Sequence, residues 1–522
     1  MLRLDASTSA SGALSPLTAE GTPVSEHPSA LASLIRSAVS KPAHASSLLA
    51  DSRHYCSYSE VPVHLAAICA FLGEHGATST DCITLELTNS LTSALALLAL
   101  LDRGYDVVLM PTRTRDPAVA TSAVQSPRFA RWLLRVTEDP MSCGILGTPE
   151  RFLDLRLNPE HSAAAPARED RLPRLYARTS GSLGLSKFVV HTHDRVAACA
   201  LRVLERLRLD ASFRVALPIP IFHLFCLRAG LLPSLAAGAS IDFQQRANLL
   251  SYLEREEQFH PDAAFVTPTF CETVLRARKG PRPYRFVVTG GDRLSEFARE
   301  AAEALHGPLI NSYGSTEMGN VAMGAPAMDR DLRAGTVGQP LPGITWRIVE
   351  TRPAEGGAGE LQLQSPYAFR SYVDLDGQEL RLADTFDGPW FRSRDLARAR
   401  PDGTLEILGR VDLSLNRNGM LLSFAELESR LRDVQAVGEA AVSAGRDDIR
   451  GRSLVAFCVL RRGEHCTAQE LRAQLAAQLP WFALPDVVNI LPDLPKLESG
   501  KLDRRALELM AQRSSAQDGG SR

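Results

Sequence analysis

From about residue 29 to residue 409, short apolar runs rich in β-branched and aromatic residues alternate with stretches whose apolar residues recur at helical spacing. The runs include CITLEL (82–87), DVVLMPT (106–112), RVALPIP (214–220), DAAFVTP (262–268) and YRFVVTGG (284–291), and RVAACALRVLERL (195–207) is one of the helical stretches between them. Continuous apolar runs suit strands buried on both faces, and helices that join neighbouring strands make those strands parallel. The alternation therefore predicts a large α/β region of several sheets with mainly parallel strands. Residues 335–409 are richer in Gly and Pro and carry short strands such as ITWRIVE and GELQLQ, which suggests a β appendage to the large domain 29–409. Beyond Arg410 the pattern changes again: AELESRLRDV is amphipathic, RSLVAFCVLRR reads as a strand and AQELRAQLAAQL as a helix. A small α+β domain over 413–511, a flexible leader over 1–28 and a tail over 512–522 complete the expected organisation.

At 522 residues the chain is too long for one ordinary core. Its net charge of −2 disfavours nucleic acid or an anionic membrane as the main partner, because either selects a basic surface. Nine cysteines are scattered with no CxxC pair, as expected of reduced thiols in a cytoplasmic protein. No signal peptide is visible, and the longest greasy run, residues 91–101, is far shorter than the roughly 20 residues of a membrane span. That run is expected to form a buried helix.

Two segments carry chemistry. In TSGSLGLSK (179–187), Gly181 and Gly184 stand among Thr179, Ser180 and Ser182, with Lys187 following. Small residues let backbone N–H groups approach an oligophosphate and the hydroxyls add donors, although neither a Walker A loop nor GxGxxG is present. In INSYGSTEMGNVAM (310–323), Tyr313 can stack on a purine, Thr316 can reach a phosphate and Glu317 can hold Mg²⁺ through its waters.

The two segments, in this order and about 130 residues apart, resemble the adenylate-forming superfamily of acyl-CoA synthetases, aryl-acid ligases, peptide-synthetase adenylation domains and luciferase. PIFHLF (220–225), VVTGGDRLS (287–295), GTVGQPLPG (335–343), WFRSRDLA (390–397), GRVDLSLNRNGMLLSFAELE (409–428) and LPKLESGKLDRR (494–505) extend the resemblance along the chain. It implies an ATP- and Mg²⁺-dependent ligase that makes an acyl-AMP and passes the acyl group to a phosphopantetheine thiol, on CoA or a holo carrier protein.

The resemblance also implies roles that the side chains can fill. Lys501 is the mobile lysine that bridges the acid and the α-phosphate, a task suited to a point charge with three donors. Asp395 grips the ribose hydroxyls and Arg410 supports ribose and phosphate. Gly290, Gly291 and Asp292 pass the backbone under the adenine, and Asn311 meets its amino group. Ser312, Tyr313, Gly314 and Ser315 complete the nucleotide loop. His223 stands near the acid carboxylate and the thiol entry path, and Gly419 clears a path for the pantetheine arm. The resemblance likewise makes 410–412 a hinge on which a mobile small domain turns.

The chain departs from the family pattern at Leu183 and Ser186 in the phosphate loop, at Ser393-Arg394 before Asp395, and at Asn416, where a lysine is usual. These changes motivate a second reading as a catalytically impaired adenylate-binding scaffold, against which the retained Lys501, Glu317 and Asp395 argue. An oxidative, luciferase-like enzyme is a third. Acid-pocket positions are expected in 224–230, 267–270, 290–291 and 312–323, read as apolar and without a cation for a second carboxylate. That composition favours a hydroxylated aromatic acid over a fatty acid, with fatty-acyl-CoA synthesis as the alternative. For the acceptor, Arg430, Arg432, Arg446, Arg450 and Arg452 suggest a basic patch suited to an acidic stand-alone carrier protein.

Overall fold

The computed structural model describes residues 28–112, 126–137, 146–162, 172–180, 186–244, 248–291, 294, 296–350, 357–381, 385–411, 413–417, 420–448, 451–476, 479, 483–497 and 501–517. Two large sheets dominate. In the first, the buried runs Leu309–Ser315, Phe286–Gly290, Ala263–Val266, Arg214–Leu217, Ser240–Phe243 and Leu48–Ala50 lie side by side in that order, all parallel. The second is parallel across Arg174–Ser180, Asp106–Pro111, Cys82–Leu87 and Trp132–Val136. The expected α/β architecture of several sheets is present, and the expected parallel pairing holds at the centre of both.

The flanks are antiparallel. Gly319–Met323 folds back on Leu309–Ser315, and Ser186–Thr192 folds back on Arg174–Ser180. Segment 310–323 spans the first return, and Thr179 and Lys187 pair near the end of the second.

Helices Ala30–Ser40, Leu91–Arg103, His193–Leu207 and Leu232–Ala237 share a single core with both sheets. Every residue from Leu91 to Leu101 is buried, so the greasy run is the buried helix its composition predicts. Ser90 starts it by accepting from Ser93 N. In the same way Thr192 caps His193–Leu207, fixing where the strand ends and that helix begins.

The β appendage is only partly separate. Thr345–Val349, Gly359–Gln364, Phe386–Asp387, Trp390–Ala399 and Leu405–Arg410 form an antiparallel sheet of their own. Ser371–Val373 and Glu379–Leu380 instead extend the second large sheet, through pairing of Ser371–Val373 with Ser186–Thr192. That pairing brings Tyr372 beside Lys187, which matters for the site.

The C-terminal part has the expected α+β character. Val437–Asp448 and Gly451–Leu460 form a hairpin, and Val487–Ile490 adds in parallel. Alternation along the hairpin supplies two cores. Ala440, Val442, Leu454 and Ala456 face a cluster with helix Phe424–Asp433, whereas Ala441, Val455 and Phe457 face Leu507 and Ala511 of the last helix. That helix, Arg504–Gln517, runs past residue 511, where the sequence suggests the domain ends. The hinge position Asp412 and all but one residue of the expected leader lie outside the described residues.

Candidate active site

Tyr313 sits near the end of Leu309–Ser315, and its hydroxyl donates to Asp395 Oδ2 at 2.5 Å across 82 residues of sequence. Asp395 lies directly opposite Arg410 on the neighbouring strand, and Arg410 Nη1 donates to Asp395 Oδ1 at 3.3 Å and to Ser393 O at 3.1 Å. Both carboxylate oxygens thus accept from side chains on other strands, and a carboxylate, with about four lone-pair sites, is an acceptor suited to paired hydroxyls such as those of a ribose. Ser393, which replaces the threonine of the family pattern, accepts from Asp395 N and donates to Leu361 O at 2.6 Å, so the change keeps the turn anchored. Burial, followed by Asp395, pushes the Tyr313 phenol well above its usual pKa, and it remains a neutral donor.

Four residues beyond Tyr313, Glu317 Oε1 accepts from the Tyr372 hydroxyl at 3.0 Å, and the Lys187 ammonium lies 3.9 Å from the centre of the Tyr372 ring. Burial and then Arg394 pull Lys187 below its ordinary pKa, with Glu317 opposing them. His191 Nε2 donates to Thr316 O at 2.7 Å, and its deep burial, with Arg228 second, holds its ring neutral. Phe369 N donates to Glu317 O at 2.6 Å. The turn that carries Thr316 and Glu317 is therefore clamped from the second sheet. Among the described residues no group of three or more His, Cys, Asp or Glu side chains could cage a metal. A lone Glu317 carboxylate fits Mg²⁺, which keeps its waters and binds through a carboxylate together with phosphates.

Gly290 closes the strand Phe286–Gly290. A Cβ there would stand 2.8 Å from the Phe225 ring and 3.2 Å from Ser312 O, so only glycine lets that ring lie against the strand. Gly291 follows with φ +95° and open space around it. The His223 ring is reachable by solvent yet closely surrounded by protein, as a side chain on a cleft wall is, and it stacks obliquely on Phe222 at 4.4 Å. Burial, reinforced by the Lys501 ammonium, lowers its pKa to about 4. Lys501 is exposed, on a turn tied by Leu497 N to Lys501 O at 2.7 Å. The Lys501 ammonium thus lies near enough for its charge to act on His223.

Several expected residues add little here or cannot be placed. Gly181, Ser182, Gly184, Leu183, Asp292 and Gly419 lie outside the described residues, as do the side chains of Ser180, Ser186, Asn416, Arg446, Arg450 and Arg452. Thr179 is paired with Lys187 across the hairpin, and its hydroxyl is buried with no partner among the described residues. Ser315 Oγ accepts from Met318 N, a local turn bond rather than one aimed at a ligand. Asn311 contributes its carbonyl to Gly324 N. Tyr372 and His191 were not picked out by sequence reasoning, because their partners lie on distant strands. Arg228 corrects an expectation: the segment 224–230 does contain a cation, and it is buried. Its signal was available as a lone arginine in the otherwise apolar LFCLRAGLL.

Two large sheets and a small α+β domain, with Tyr313, Asp395 and Arg410 joined at one place and Glu317, Tyr372 and Lys187 at another, fit an adenylate-forming enzyme. The chain matches the AMP-binding enzyme family over residues 35–373 and the AMP-binding enzyme C-terminal domain over 426–501, and it belongs to that family. It is an ATP-dependent, AMP-forming ligase. Benzoate–CoA ligase of Thauera aromatica is 30% identical over 423 residues, 78% of each chain. A salicylyl-CoA synthase / salicylate adenylyltransferase of a Streptomyces species is 28% identical over 398 residues, 71% of each. An anthranilate CoA ligase in complex with anthranoyl-AMP shares the fold with a TM-score of 0.75 at 21% identity, covering 93% of this chain and 98% of that one. Among the described residues no helix is long and apolar enough to cross a membrane.

Two expected outcomes follow from this geometry. Tyr372→Phe keeps the ring under Lys187 but removes the donor to Glu317. A hydrogen bond to a charged group contributes about 1.5–3 kcal/mol, so adenylation should slow roughly 10- to 100-fold. The loss should shrink at high Mg²⁺ if Glu317 holds the ion, and a rate unchanged at any Mg²⁺ would separate Tyr372 from the site.

The second concerns pH. His223 binds its proton less readily in the folded chain, at about 4, than in an unfolded one, at about 6.5. Between those values the unfolded state holds more protons, so His223 costs stability progressively as pH falls from about 6.5 to 4. Because Lys501 contributes to the shift, Lys501→Ala should raise the His223 pKa, as read by ring-proton NMR titration. An identical titration in both proteins would mean that the two groups are apart in solution.

Proposed function

We propose that this ligase joins a hydroxylated aromatic acid to ATP, releasing pyrophosphate, and then transfers the acyl group to a phosphopantetheine thiol with release of AMP. The observation that carries the reading is the match to the AMP-binding enzyme family over residues 35–373 and 426–501, with Lys501, Glu317 and Asp395 retained in its motifs. An acid carboxylate is already a nucleophile at neutral pH and needs no general base. What the first step requires is positive charge where negative charge gathers on the α-phosphate and pyrophosphate. Lys501 supplies it from the small domain. Glu317 holds Mg²⁺ against the phosphates, with Thr316 and the 179–187 hairpin, including Lys187, beside them. Asp395 and Arg410 hold the ribose, and Gly290, Gly291, Asp292, Asn311 and Ser312 frame the adenine. His223, neutral at working pH, flanks the acid carboxylate. Gly419 lines the thiol path when the small domain turns about the hinge.

Aryl-acid activation is supported by the names of the relatives, benzoate– and salicylate-activating enzymes. A stand-alone carrier protein is the favoured acceptor, with the arginines of the small domain as its landing patch, and CoA is the competing one. The test is acid-dependent pyrophosphate release over a panel of aryl and fatty acids, repeated with CoA and with holo carrier proteins. Release with fatty acids alone would overturn the substrate reading. Turnover with CoA and with no carrier protein would overturn the acceptor reading. Binding of ATP without pyrophosphate release for any acid would favour the scaffold.

A further inference from the structure

Arg228 lies in the π-helical turn Cys226–Leu231, three positions after Phe225, whose ring rests on Gly290, so that two segments expected to line the acid pocket meet there. It is 1% exposed, and none of its three guanidinium nitrogens has a hydrogen-bond partner among the described residues. No carboxylate among them lies within ion-pairing distance of it. Its neighbours offer no charge to balance its own. Cys199 is a buried thiol held above its usual pKa, His191 is neutral, and Glu317 is near enough only to act through its field. A Cβ on Gly319 would stand 3.1 Å from Arg228 Nη1, which puts the guanidinium fork against the end of the Tyr313–Glu317 turn, between that turn and the wall carrying Phe225.

A buried arginine is almost always paired, because leaving a charge without an anion in the interior is costly. Here the cost stands in one helical turn of π form, a local widening found often at functional sites. The five N–H donors of a guanidinium match the in-plane lone pairs of an oxygen acid.

We propose that Arg228 determines the substrate class: the acid this chain activates carries a second acidic oxygen group, a carboxylate or an acidic phenol, at the end remote from its reacting carboxylate, and Arg228 receives it. This rests on the acyl-adenylate reading above and narrows it. The second acidic group of the substrate forms the ion pair with Arg228. An acid without the second group leaves the guanidinium desolvated and unpaired, so the pocket rejects it, as sites built for a polar substituent reject analogues that lack it. Arg228 acts on which acid enters.

The experiment compares the full chain with Arg228→Leu and Arg228→Lys, measuring kcat/KM for pyrophosphate release with benzoate, hydroxybenzoates, benzene dicarboxylates and octanoate. The unaltered chain is expected to favour acids with the second oxygen group. Arg228→Leu is expected to lower kcat/KM for those acids by about 10²-fold or more, to leave benzoate unchanged or improved, and to keep KM for ATP. Arg228→Lys, with the charge but not the fork, should fall between. A loss confined to the dicarboxylates identifies the carboxylate, and one confined to the hydroxybenzoates identifies the phenol. Either outcome supports the proposal.

Thermal unfolding separates selection from bracing. Removing an unpaired buried charge should leave Tm unchanged or raised, whereas a structural brace would lose stability and slow every acid equally. Equal loss across the panel with a lowered Tm, or no loss for any acid, would overturn the proposal while the acyl-adenylate reading stands. No pyrophosphate from any acid would remove both.

Discussion

Lys501→Ala is expected to slow acyl-adenylate formation by about 10²–10³-fold while thioester formation from synthetic acyl-AMP keeps most of its rate. Only the first step gathers negative charge on the α-phosphate and the departing pyrophosphate. In the second, the thiol attacks a carbonyl already activated by AMP. The residue is well placed for such a division. It stands on an exposed turn pinned at its base by the bridge between Lys496 and Leu502, with helix Arg504–Gln517 beginning just behind it. Alanine there disturbs no core, and loss of activity would report the ammonium rather than the fold. Single-turnover assays of the two half-reactions, with CoA or carrier protein in the second, give the measurement. Equal loss in both half-reactions would mean that the small domain does not exchange positions between them.

The outline of this site was legible because its chemistry is written in short local segments. Tyr313, Thr316 and Glu317 stand within five residues, and a loop that holds a nucleotide must place an aromatic, a hydroxyl and a carboxylate close together. The parallel strands were legible for a similar reason: AAFV and FVVTG are apolar throughout because both faces are buried. What the sequence did not carry was long-range pairing. Tyr372 reaches Glu317 from 55 residues away because Ser371–Val373 joins the second large sheet, and nothing in SYV marks which strand it will meet.

Arg228 was missed for another reason. Averaging composition over 224–230 hides one cation among apolar neighbours, although a lone arginine in such a run is the more informative observation. The exchange of glycine for Arg394 was visible in the sequence. Its backbone consequence, a φ of 58° in a region that side chains enter at about 1–2 kcal/mol, appears only in the structure. Ser393 and Asp395 on either side hold that conformation through their hydrogen bonds.

Gly314→Ala tests whether the turn between the first sheet's last parallel strand and its antiparallel return works as one rigid unit. A Cβ at residue 314 would lie 2.2 Å from Gly319 O and 3.1 Å from Asn320 Cα. These are backbone atoms, so no side chain can swing aside, and the two strands must part at the point where their register already shifts, between Tyr313 and Gly314. Tyr313 would then move relative to Asp395, and Glu317 relative to Tyr372. Misplacement of reacting groups by about 1 Å costs on the order of 10²-fold in rate. The variant is expected to lose at least that much adenylation while its unfolding stays cooperative, because the turn lies at the sheet's margin rather than among the buried strands. A structure of the variant, or the Mg²⁺ dependence of its residual activity, should show Glu317 displaced. Near-normal adenylation would mean that the turn yields without moving either side chain, and that Tyr313 and Glu317 do not depend on its geometry.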